Sequence, residues 1–366
     1  MRILYVLPRR KFGGIKQTED VFISAVKKLS PGEMEFFYCG SFTDRDNFLF
    51  RIVTRFADWV RFDLKCLVFR PDIVHFNSSF DWMSVSRDIF FALTARALNI
   101  RFVLKAHGSS REFLSGMKPF WRWLGRTLIR LSDVVCVGTN AEKDEFRRCF
   151  NVPDDKYRVM KNAVDIRDFP KKEEDSVYFS HETGTFPRVL YLSRLIKEKG
   201  IYDFLDAIPS ILREKEMYFY VGGFGEERNA VENAIKDKGL GGNVFILPFL
   251  DDGTVKRIYH YFDIFVFPTH CAEGIPVSLL NAIVCGTPVV TTRFRFAMDY
   301  MKDPDNCLFV EKGTPGDIAS KVLFLEANRD VAGKMRANNS TLGKIFDKKM
   351  VALEYMDIYN GEDNGS

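Results

Sequence analysis

The sequence has few cysteines and histidines, and their spacing excludes the common frameworks built from them. Seven cysteines among 366 residues include no C-x-x-C pair, and their number is odd. The five histidines, at 75, 107, 181, 260 and 270, show no H-x-x-x-H or H-x-H spacing. Asp251 and Asp252 are adjacent, but they precede a helical pattern over 254–261 and are predicted to cap it. We therefore expect reduced thiols and no metal site.

Long apolar runs are also missing. No stretch approaches the ~20 apolar residues that a helix needs to cross a bilayer, and even 89–100 is interrupted by Arg96. The apolar run at the start, 3–7, is too short for the central region of a secretory signal, and basic residues follow it at once. We expect a cytoplasmic protein that could contact a membrane only peripherally, at its inner face.

The length and the composition are those of a folded protein with two domains. Hydrophobic residues make up 46% and charged residues 28% of the chain, close to globular averages, and 366 residues suit two domains. The charge is unevenly spread. Residues 1–170 hold 29 basic and 20 acidic side chains, a net charge of +9, whereas 171–366 hold 24 and 29, a net charge of −5. This division suggests that the first half faces something anionic.

Short apolar runs alternate with segments of helical period along nearly the whole chain. The predicted strands are 3–7, 35–39, 73–76, 102–106, 134–137 and 158–161, then 189–193, 217–222, 244–247, 264–268, 288–291 and 307–310. Strands that are apolar throughout predict parallel sheets covered on both faces. The polar stretch 170–187 divides the pattern. We predict two doubly wound α/β domains, 1–170 and 171–366, with the last helix, 343–359, as a candidate to pack back on the first.

Basic residues follow the first strand of the second half. Arg194 comes directly after this strand, and Lys199 and Gly200 precede the next helix. Two cations beside a helix N-terminus form a site for a diphosphate. A solvated loop that carries an arginine and a lysine by chance explains the same residues equally well.

The loop after strand 264–268 carries a more specific pattern. Glu273, Gly274 and Pro276 precede a helix, which presents one acceptor and several N–H donors to a polyol. This stretch resembles the signature of the retaining glycosyltransferases of family 4, also called glycosyl transferases group 1. Their GT-B fold has two Rossmann-like domains facing a cleft, and their signature reads Glu, seven residues, Glu, followed by Gly-x-Pro-Val-Val. The chain keeps 286–290 as Gly-Thr-Pro-Val-Val but has Asn281 at the second carboxylate.

Further matches extend the resemblance over nearly the whole chain. They are Gly13 and Gly14 in the first loop, His107-Gly108 after the strand 102–106, the segment Lys161–Asp165, and the glycines Gly223 and Gly225. Each motif taken alone is weak, since glycine-rich turns and strand-end histidines occur in many folds. Their order along the chain, each at the carboxyl end of a predicted strand, makes the combination specific.

The resemblance implies a role for each of these residues. Arg194 and Lys199 would bind the donor diphosphate, Glu273 the donor sugar together with the backbone of Gly274, Ile275 and Val277, and Asn281 the ribose. Gly13, Gly14, Gly223, Gly225, Phe249 and Leu250 would lie beside the donor, and His107 beside the reacting sugar. It further implies retention of anomeric configuration and a UDP- or GDP-linked donor as substrate, with no cofactor and no metal. The acceptor would be a glycan or a polyprenyl-lipid-linked molecule, in bacterial surface polysaccharide assembly.

Two rival functions stay open. A nucleotide-sugar 2-epimerase has the same fold but lacks the Glu-Gly-x-Pro signature that Glu273–Pro276 retains. A non-catalytic sugar-nucleotide-binding partner subunit is suggested by Asn281. Nucleic acid is not an expected partner, because the sequence has no nucleic-acid-binding motif.

Two basic segments of the first half are candidates for contact with an anionic acceptor or with the membrane around it. Segment 117–131 places Lys118, Arg122, Arg126 and Arg130 four residues apart. With its aromatic neighbours it would suit either an anionic membrane surface or the domain core, and the pattern favours neither. In segment 51–70 we predict core packing.

Overall fold

Two parallel sheets organise the chain, which confirms the predicted doubly wound α/β architecture. The computed structural model describes residues 1–9, 14–30, 32–40, 48–107, 114, 116–169 and 186–362, with the backbone only at 14–17 and 48–52. By their contacts these residues form two compact units. The first unit contains Met1–Val164, Glu273–Ile275 and Phe346 onward, and the second contains Asp165–Ala272 and Pro276–Ile345.

The first sheet has the strand order β2-β1-β3-β4-β5-β6. Its strands are β1 (Ile3–Pro8), β2 (Met34–Cys39), β3 (Ile73–Ser78), β4 (Arg101–Ala106), β5 (Val134–Val137) and β6 (Tyr157–Val159). Its described helices are α1 (Gly14–Leu29), α2 (Phe48–Phe69), α3 (Trp82–Ala97), α4 (Pro119–Leu131), α5 (Asn140–Phe150) and α13 (Lys348–Asn360). All neighbouring strands are parallel. Because helices cover both faces, every residue of β3 is buried, as the continuous apolar runs predict.

The two faces of the first sheet carry separate cores. Helices α2 to α5 pack on one face, where Phe62, Phe91 and Phe146 are buried among strand residues such as Phe76. Helices α1 and α13 cover the other face, and α13 contributes Val351, Ala352, Tyr355, Ile358 and Tyr359 to that core. The segment predicted as one helix over 343–359 is interrupted by a 3₁₀ turn at Lys344–Phe346, and α13 begins after it. The interruption falls where the chain returns to the first unit.

The second sheet has the strand order β12-β11-β10-β7-β8-β9, which read from the other edge is the Rossmann order. Its strands are β7 (Arg188–Leu192), β8 (Tyr218–Gly222), β9 (Val244–Ile246), β10 (Ile264–Phe267), β11 (Val289–Thr292) and β12 (Leu308–Val310). Its helices are α6 (Ile201–Glu214), α7 (Arg228–Asp237), α8 (Asp252–Ile258), α9 (Val277–Val284), α10 (Arg295–Tyr300), α11 (Pro315–Ala327) and α12 (Arg329–Gly343). The predicted cap of α8 is confirmed, since the Asp251 carboxylate accepts a hydrogen bond from the Thr254 N–H at 2.9 Å.

Candidate functional site

The strand order of the second sheet reverses between β7 and β10, and ligands of open α/β sheets bind at the carboxyl ends of strands beside such a reversal. The loop after β7 carries Arg194 and Lys199, and the loop after β10 begins at Pro268. These two loops are joined through the backbone carbonyl of Glu198. It accepts a hydrogen bond from the His270 N–H at 2.8 Å and one from the Thr269 hydroxyl at 3.5 Å.

Lys199 is a buried amine at this edge of the sheet. Its residue is 6% exposed, and its Nζ lies 5.9 Å from the centre of the Phe267 ring. Burial lowers the pKa of Lys199 to about 8; Cys271 opposes this shift, and the nearby Arg194 adds to it. An ammonium held in this way gains more than an exposed one from a bound anion, because the anion replaces the solvation that burial removed. Arg194 itself is exposed.

The loop after β8 holds the Arg194 loop in place. Gly223 has a φ of +130°, and a Cβ there would lie 1.8 Å from the Ser193 carbonyl oxygen. A Cβ on Gly225 would lie 2.1 Å from the Leu195 carbonyl oxygen. The Leu195 N–H donates to the Phe224 carbonyl at 2.8 Å, which ties the two backbones together. Both glycines are therefore required for contact between the loops, whatever ligand binds beside them.

Exposed aromatic rings follow two neighbouring strands of this sheet. Phe249, after β9, is 79% exposed, and Phe224, after β8, is also exposed. Leu250 is half-buried. Large apolar side chains exposed at the ligand-binding edge of a sheet are available to cover a flat apolar surface. Phe249 and Leu250 were predicted from the resemblance, whereas Phe224 was not, although it lies between the two predicted glycines.

Helix α9 begins without a side-chain cap. Its N-cap residue is Pro276, whose side chain has no hydrogen-bond acceptor for the first-turn N–H groups that begin at Val277. Asn281 lies four residues after Val277, on the same helix face, and is 5% exposed. The preceding residues Glu273, Gly274 and Ile275 are half-buried and group with the first unit.

Arg295 is a residue that the sequence reasoning missed. It is buried in α10, and its Nη1 donates to the Ala272 carbonyl oxygen at 3.2 Å. It therefore anchors the backbone immediately before Glu273. No motif of the sequence marked this arginine, because the contact joins residues 23 positions apart through the fold of two loops.

In the first unit, His107 directly follows β4 and has a defined orientation. Its Nε2 lies 2.6 Å from Asn77 Oδ1, and the Asn77 amide group donates to the Val6 carbonyl at 2.9 Å. Because Oδ1 can only accept, Nε2 carries the hydrogen and Nδ1 is an acceptor. Burial, together with the charge of Lys105, lowers the pKa of His107 to about 4 against the opposing effect of Glu19, so the ring is neutral at pH 7.

A buried ion pair lies beside His107. Lys105 Nζ donates to Glu19 Oε1 at 2.7 Å, and the Tyr5 hydroxyl donates to the other carboxylate oxygen. His107 Nε2 is 3.6 Å from Glu19 Oε1. Burial would raise the pKa of Glu19, but Lys105 and the neighbouring histidines lower it to about 2. Sequence reasoning did not predict this ion pair. The only sequence feature that could have indicated it is the position of Lys105 within the otherwise apolar central part of β4.

Some predicted features lie at the limits of what the structure describes. Gly13 falls outside the described residues, as does Gly108, and Gly14 is the first residue of α1, where only the backbone is described. Among the described residues, no group of three or more His, Cys, Asp or Glu side chains converges in a way that could hold a metal ion. Within the same residues, no helix combines the length and the apolar character required to cross a membrane.

Two family models match consecutive parts of the sequence. The model described as Glycosyl transferases group 1 matches residues 174–341, and that described as Glycosyltransferase Family 4 matches residues 30–168. Together they cover most of the chain, with the division between them close to the division between the two units.

Characterised and uncharacterised relatives agree with these matches. An uncharacterized glycosyltransferase of Methanocaldococcus jannaschii is 29% identical over 48% of the chain and 46% of its own length. The N,N'-diacetylbacillosaminyl-diphospho-undecaprenol alpha-1,3-N-acetylgalactosaminyltransferase of Campylobacter jejuni is 22% identical over 60% and 58%. The chain thus spans about half the length of these two relatives. The O-antigen biosynthesis glycosyltransferase WclY of Escherichia coli is 23% identical over 98% of both chains.

Solved structures show the same fold. Anabaena HepE in complex with UDP and glucose superposes with a TM-score of 0.76 at 14% identity, over 99% of this chain and all of that one. The sucrose-phosphate synthase of Thermosynechococcus elongatus gives 0.76 at 14% identity over the whole of both chains. At such identities the likeness establishes the fold, which is GT-B, and leaves the reaction to be argued from the residues.

Proposed function

Since the chain belongs to the group 1 glycosyltransferases of family 4, we propose that it transfers a sugar from a nucleotide-sugar donor to a glycan or lipid-linked acceptor. The observation that carries the proposal is the pair of cations after β7, at the point where the second sheet reverses its order. There Lys199 is buried and Arg194 is exposed a few residues away. Among the described residues, this is where a leaving diphosphate would meet both a buried positive charge and an exposed guanidinium donor.

The reaction needs a leaving group to be stabilised. The bond between the anomeric carbon and the donor phosphate oxygen breaks, a bond from that carbon to the acceptor oxygen forms, and the acceptor proton passes to the leaving phosphate. Negative charge accumulates on the diphosphate as this happens. Arg194 and Lys199 would neutralise that charge from fixed positions, which lowers the barrier without solvent reorganisation. Departure and attack on the same face of the sugar would retain the anomeric configuration.

The remaining donor contacts are assigned by the resemblance. The Glu273 carboxylate would accept hydrogen bonds from sugar hydroxyls, and the N–H groups of Gly274, Ile275 and Val277 would face the sugar and the phosphates. The absence of a side-chain cap at Pro276 supports this role for the α9 N-terminus. Asn281 would accept one hydrogen bond from the ribose. This bond lacks the charge assistance of a carboxylate and is roughly half as strong.

The nucleobase and the reacting sugar have separate candidates. The exposed ring of Phe249 and the side chain of Leu250 would cover the base of a UDP or GDP donor, next to the loop of Gly223 and Gly225. His107 is neutral and presents Nδ1 as an acceptor, so it would accept a hydrogen bond from a sugar hydroxyl rather than donate a proton. Gly13 and Gly14 would allow backbone to approach the same substrate.

A lipid-linked acceptor fits the relatives best. The Campylobacter jejuni relative is named for a diphospho-undecaprenol acceptor, and the Escherichia coli relative for O-antigen biosynthesis. We infer by this similarity that the acceptor is a polyprenyl-diphosphate-linked sugar and that the product enters a bacterial surface polysaccharide. The net charge of +9 on residues 1–170 would favour an anionic acceptor of this kind.

Replacement of Arg194 by alanine tests the proposal. The variant is expected to lose ~10²–10³ in turnover, the cost of one preorganised donor to a developing charge, while its thermal unfolding stays unchanged. Nucleotide release from a panel of UDP- and GDP-sugars gives the rate. Arg213→Ala is the matched control, because Arg213 is also exposed and lies in the last turn of α6, away from the β7 loop.

Three results would contradict the proposal. An Arg194→Ala variant with most of its activity would remove the diphosphate role. A thermal shift with UDP- or GDP-sugars but no released nucleotide would indicate a non-catalytic binding subunit. Conversion of the donor sugar to its 2-epimer without an acceptor would indicate an epimerase on the same fold.

A further inference from the structure

The outward face of α2 is apolar, although the opposite face already packs in the core. The exposed residues of α2 with described side chains are Val53, Phe56, Ala57, Val60, Arg61, Leu64, Leu67 and Val68. Phe56 is 62% exposed and Val68 is 82% exposed. The buried face is formed by Phe62, Cys66 and Phe69. The prediction of core packing for this segment therefore describes one side of the helix, and the other side has an apolar stripe in solvent.

The apolar stripe continues across two neighbouring helices. Trp59 of α2 lies 5.2 Å from Phe90 of α3, measured between ring centres, and Trp82 of α3 lies 5.8 Å from Trp121 of α4. On the outside of this layer the exposed large apolar side chains are Trp82, Phe90 and Leu93 on α3, and Phe120 and Trp123 on α4. We refer to the outer surfaces of α2, α3 and α4 together as the α2–α4 face. A contiguous apolar surface of this kind marks a binding surface.

The charges exposed on this face are of one sign. Basic side chains are exposed at Arg96, Lys118, Arg122 and Arg130. Arg61 is exposed as well, but it pairs with Asp58 at 3.3 Å. Each acidic residue of the described part of the three helices already has a partner within the protein. Asp58 pairs with Arg9 and Asp88 pairs with Arg87. Asp63 accepts a hydrogen bond from Thr94 at 2.6 Å. At the end of α4, Arg130, Arg147 and Arg148 also line an open depression of about 700 Å³ together with Asp154. The face therefore combines exposed aromatic side chains with more exposed basic than exposed acidic side chains.

We propose that the α2–α4 face docks on the headgroup region of a bilayer that contains anionic lipid. Exposed Trp and Phe side chains suit the boundary between headgroups and acyl chains, and the arginines and lysine would meet lipid phosphates. A second copy of the chain fits less well. In a two-fold symmetric dimer the same patch faces itself, so the basic residues would oppose one another without acidic partners. The inference rests on the first unit and is independent of the proposed transfer reaction.

Vesicle sedimentation of the whole chain tests the docking face. Binding to vesicles of phosphatidylcholine with phosphatidylglycerol is expected at low salt, with weaker binding at high salt and with phosphatidylcholine alone. Two double variants, Phe120→Gln with Trp123→Gln and Phe56→Gln with Leu64→Gln, should each weaken binding by ~tenfold or more, from the apolar area withdrawn from the bilayer. Phe324→Gln is the matched control, an exposed phenylalanine on α11 of the second unit.

A variant with fewer basic side chains tests the electrostatic contribution to vesicle binding separately from the apolar contribution. Lys118→Gln with Arg122→Gln keeps the apolar side chains and should weaken binding to the anionic vesicles by roughly fivefold for each charge removed. Circular dichroism and thermal unfolding identify any variant that is misfolded, and donor hydrolysis should be unaffected in all of them. The proposal is overturned if the unsubstituted chain does not sediment with anionic vesicles, or if the double variants bind as well as Phe324→Gln. It is also overturned if sedimentation velocity shows a dimer that the α2 variant dissociates, since a second copy would then cover the face.

Discussion

At the scale of single residues, burial decides which side chains carry charge at the candidate site. Burial lowers the pKa of Lys199 to about 8 and, with Lys105, that of His107 to about 4. At pH 7 the lysine is therefore charged and the histidine neutral. The two residues consequently suit different partners: Lys199 suits an anionic group, and His107 suits a hydroxyl.

The pKa of Lys199 predicts how nucleotide binding depends on pH. Below about 8 the amine is protonated and attracts the diphosphate, and above it the amine of the unbound protein is neutral. The affinity for UDP or GDP is thus expected to fall as pH rises through about 8, which calorimetric titration can measure. Lys199→Arg stays protonated over this range and should flatten the profile. Lys197→Arg, an exposed neighbour, should keep it. An unchanged profile in Lys199→Arg would show that another group titrates.

Single-residue chemistry was the part least accessible from the sequence. Arg194 and Lys199 could be proposed because they lie within six residues of one another after a predicted strand. Glu19 and Lys105 are 86 positions apart, and their pairing depends on α1 covering the strand β4. Nothing local in either segment indicates that the sheet brings them together. The same holds for Arg295, whose contact with Ala272 requires two folded loops.

At the scale of elements, the loop after β8 acts through backbone geometry. Its glycines leave space for the carbonyl oxygens of Ser193 and Leu195, and the loop in turn accepts the Leu195 N–H. The position of Arg194 therefore depends on a neighbouring loop that begins thirty residues later.

Gly223→Ala tests this dependence. The added Cβ cannot fit beside the Ser193 carbonyl at a φ of +130°, so the loop must shift. We expect a loss of about 1–3 kcal/mol in the free energy of unfolding and weaker UDP or GDP binding, because Arg194 moves with its loop. Thermal unfolding and nucleotide titration measure the two effects. Gly241→Ala is the matched control, since no atom lies within 4 Å of its added Cβ. Equal nucleotide affinity in the two variants would contradict the coupling.

The strands of the two sheets could be predicted well, because a short run of apolar residues is enough to identify a buried parallel strand. Each of the twelve predicted apolar runs overlaps a strand, since a parallel strand covered on both faces has no polar alternation to obscure it. Helix α2 was less accessible. Apolar residues cover both of its faces, and sequence spacing does not say which face meets the sheet.

At the scale of the whole molecule, the chain leaves the first unit after Val164 and, apart from Glu273–Ile275, returns to it at Phe346. The two crossings lie side by side. The Val164 N–H donates to the Phe346 carbonyl at 2.9 Å, and the Lys348 N–H donates to the Val164 carbonyl at 2.8 Å. Helix α13 then completes the core on the face of the first sheet that α1 also covers. Periodicity predicts a helix over 343–359, but periodicity alone does not indicate which sheet this helix packs on.

Tyr355→Ala tests whether α13 stabilises the first unit. The Tyr355 ring is fully buried, 4.6 Å from the Phe22 ring and 5.4 Å from the His75 ring, measured between centres. Its removal should cost about 3–5 kcal/mol, as for other buried aromatic side chains. Hydrogen exchange should accelerate in β1 and β3 while β7 and β8 keep their protection. Tyr259→Ala, a buried tyrosine of the second unit, should give the reverse pattern. Loss of protection in β7 and β8 of Tyr355→Ala would contradict the division.

The return of α13 also has a consequence for synthesis on the ribosome. The strands of the first sheet emerge early, but the helix that covers Tyr5, Phe22 and His75 emerges only after the whole second unit has been translated. Until then the first unit of the nascent chain exposes an apolar surface that includes Tyr5 and His75, which are buried in the folded protein. The core on this face of the first sheet can therefore be completed only after α13 has been synthesised.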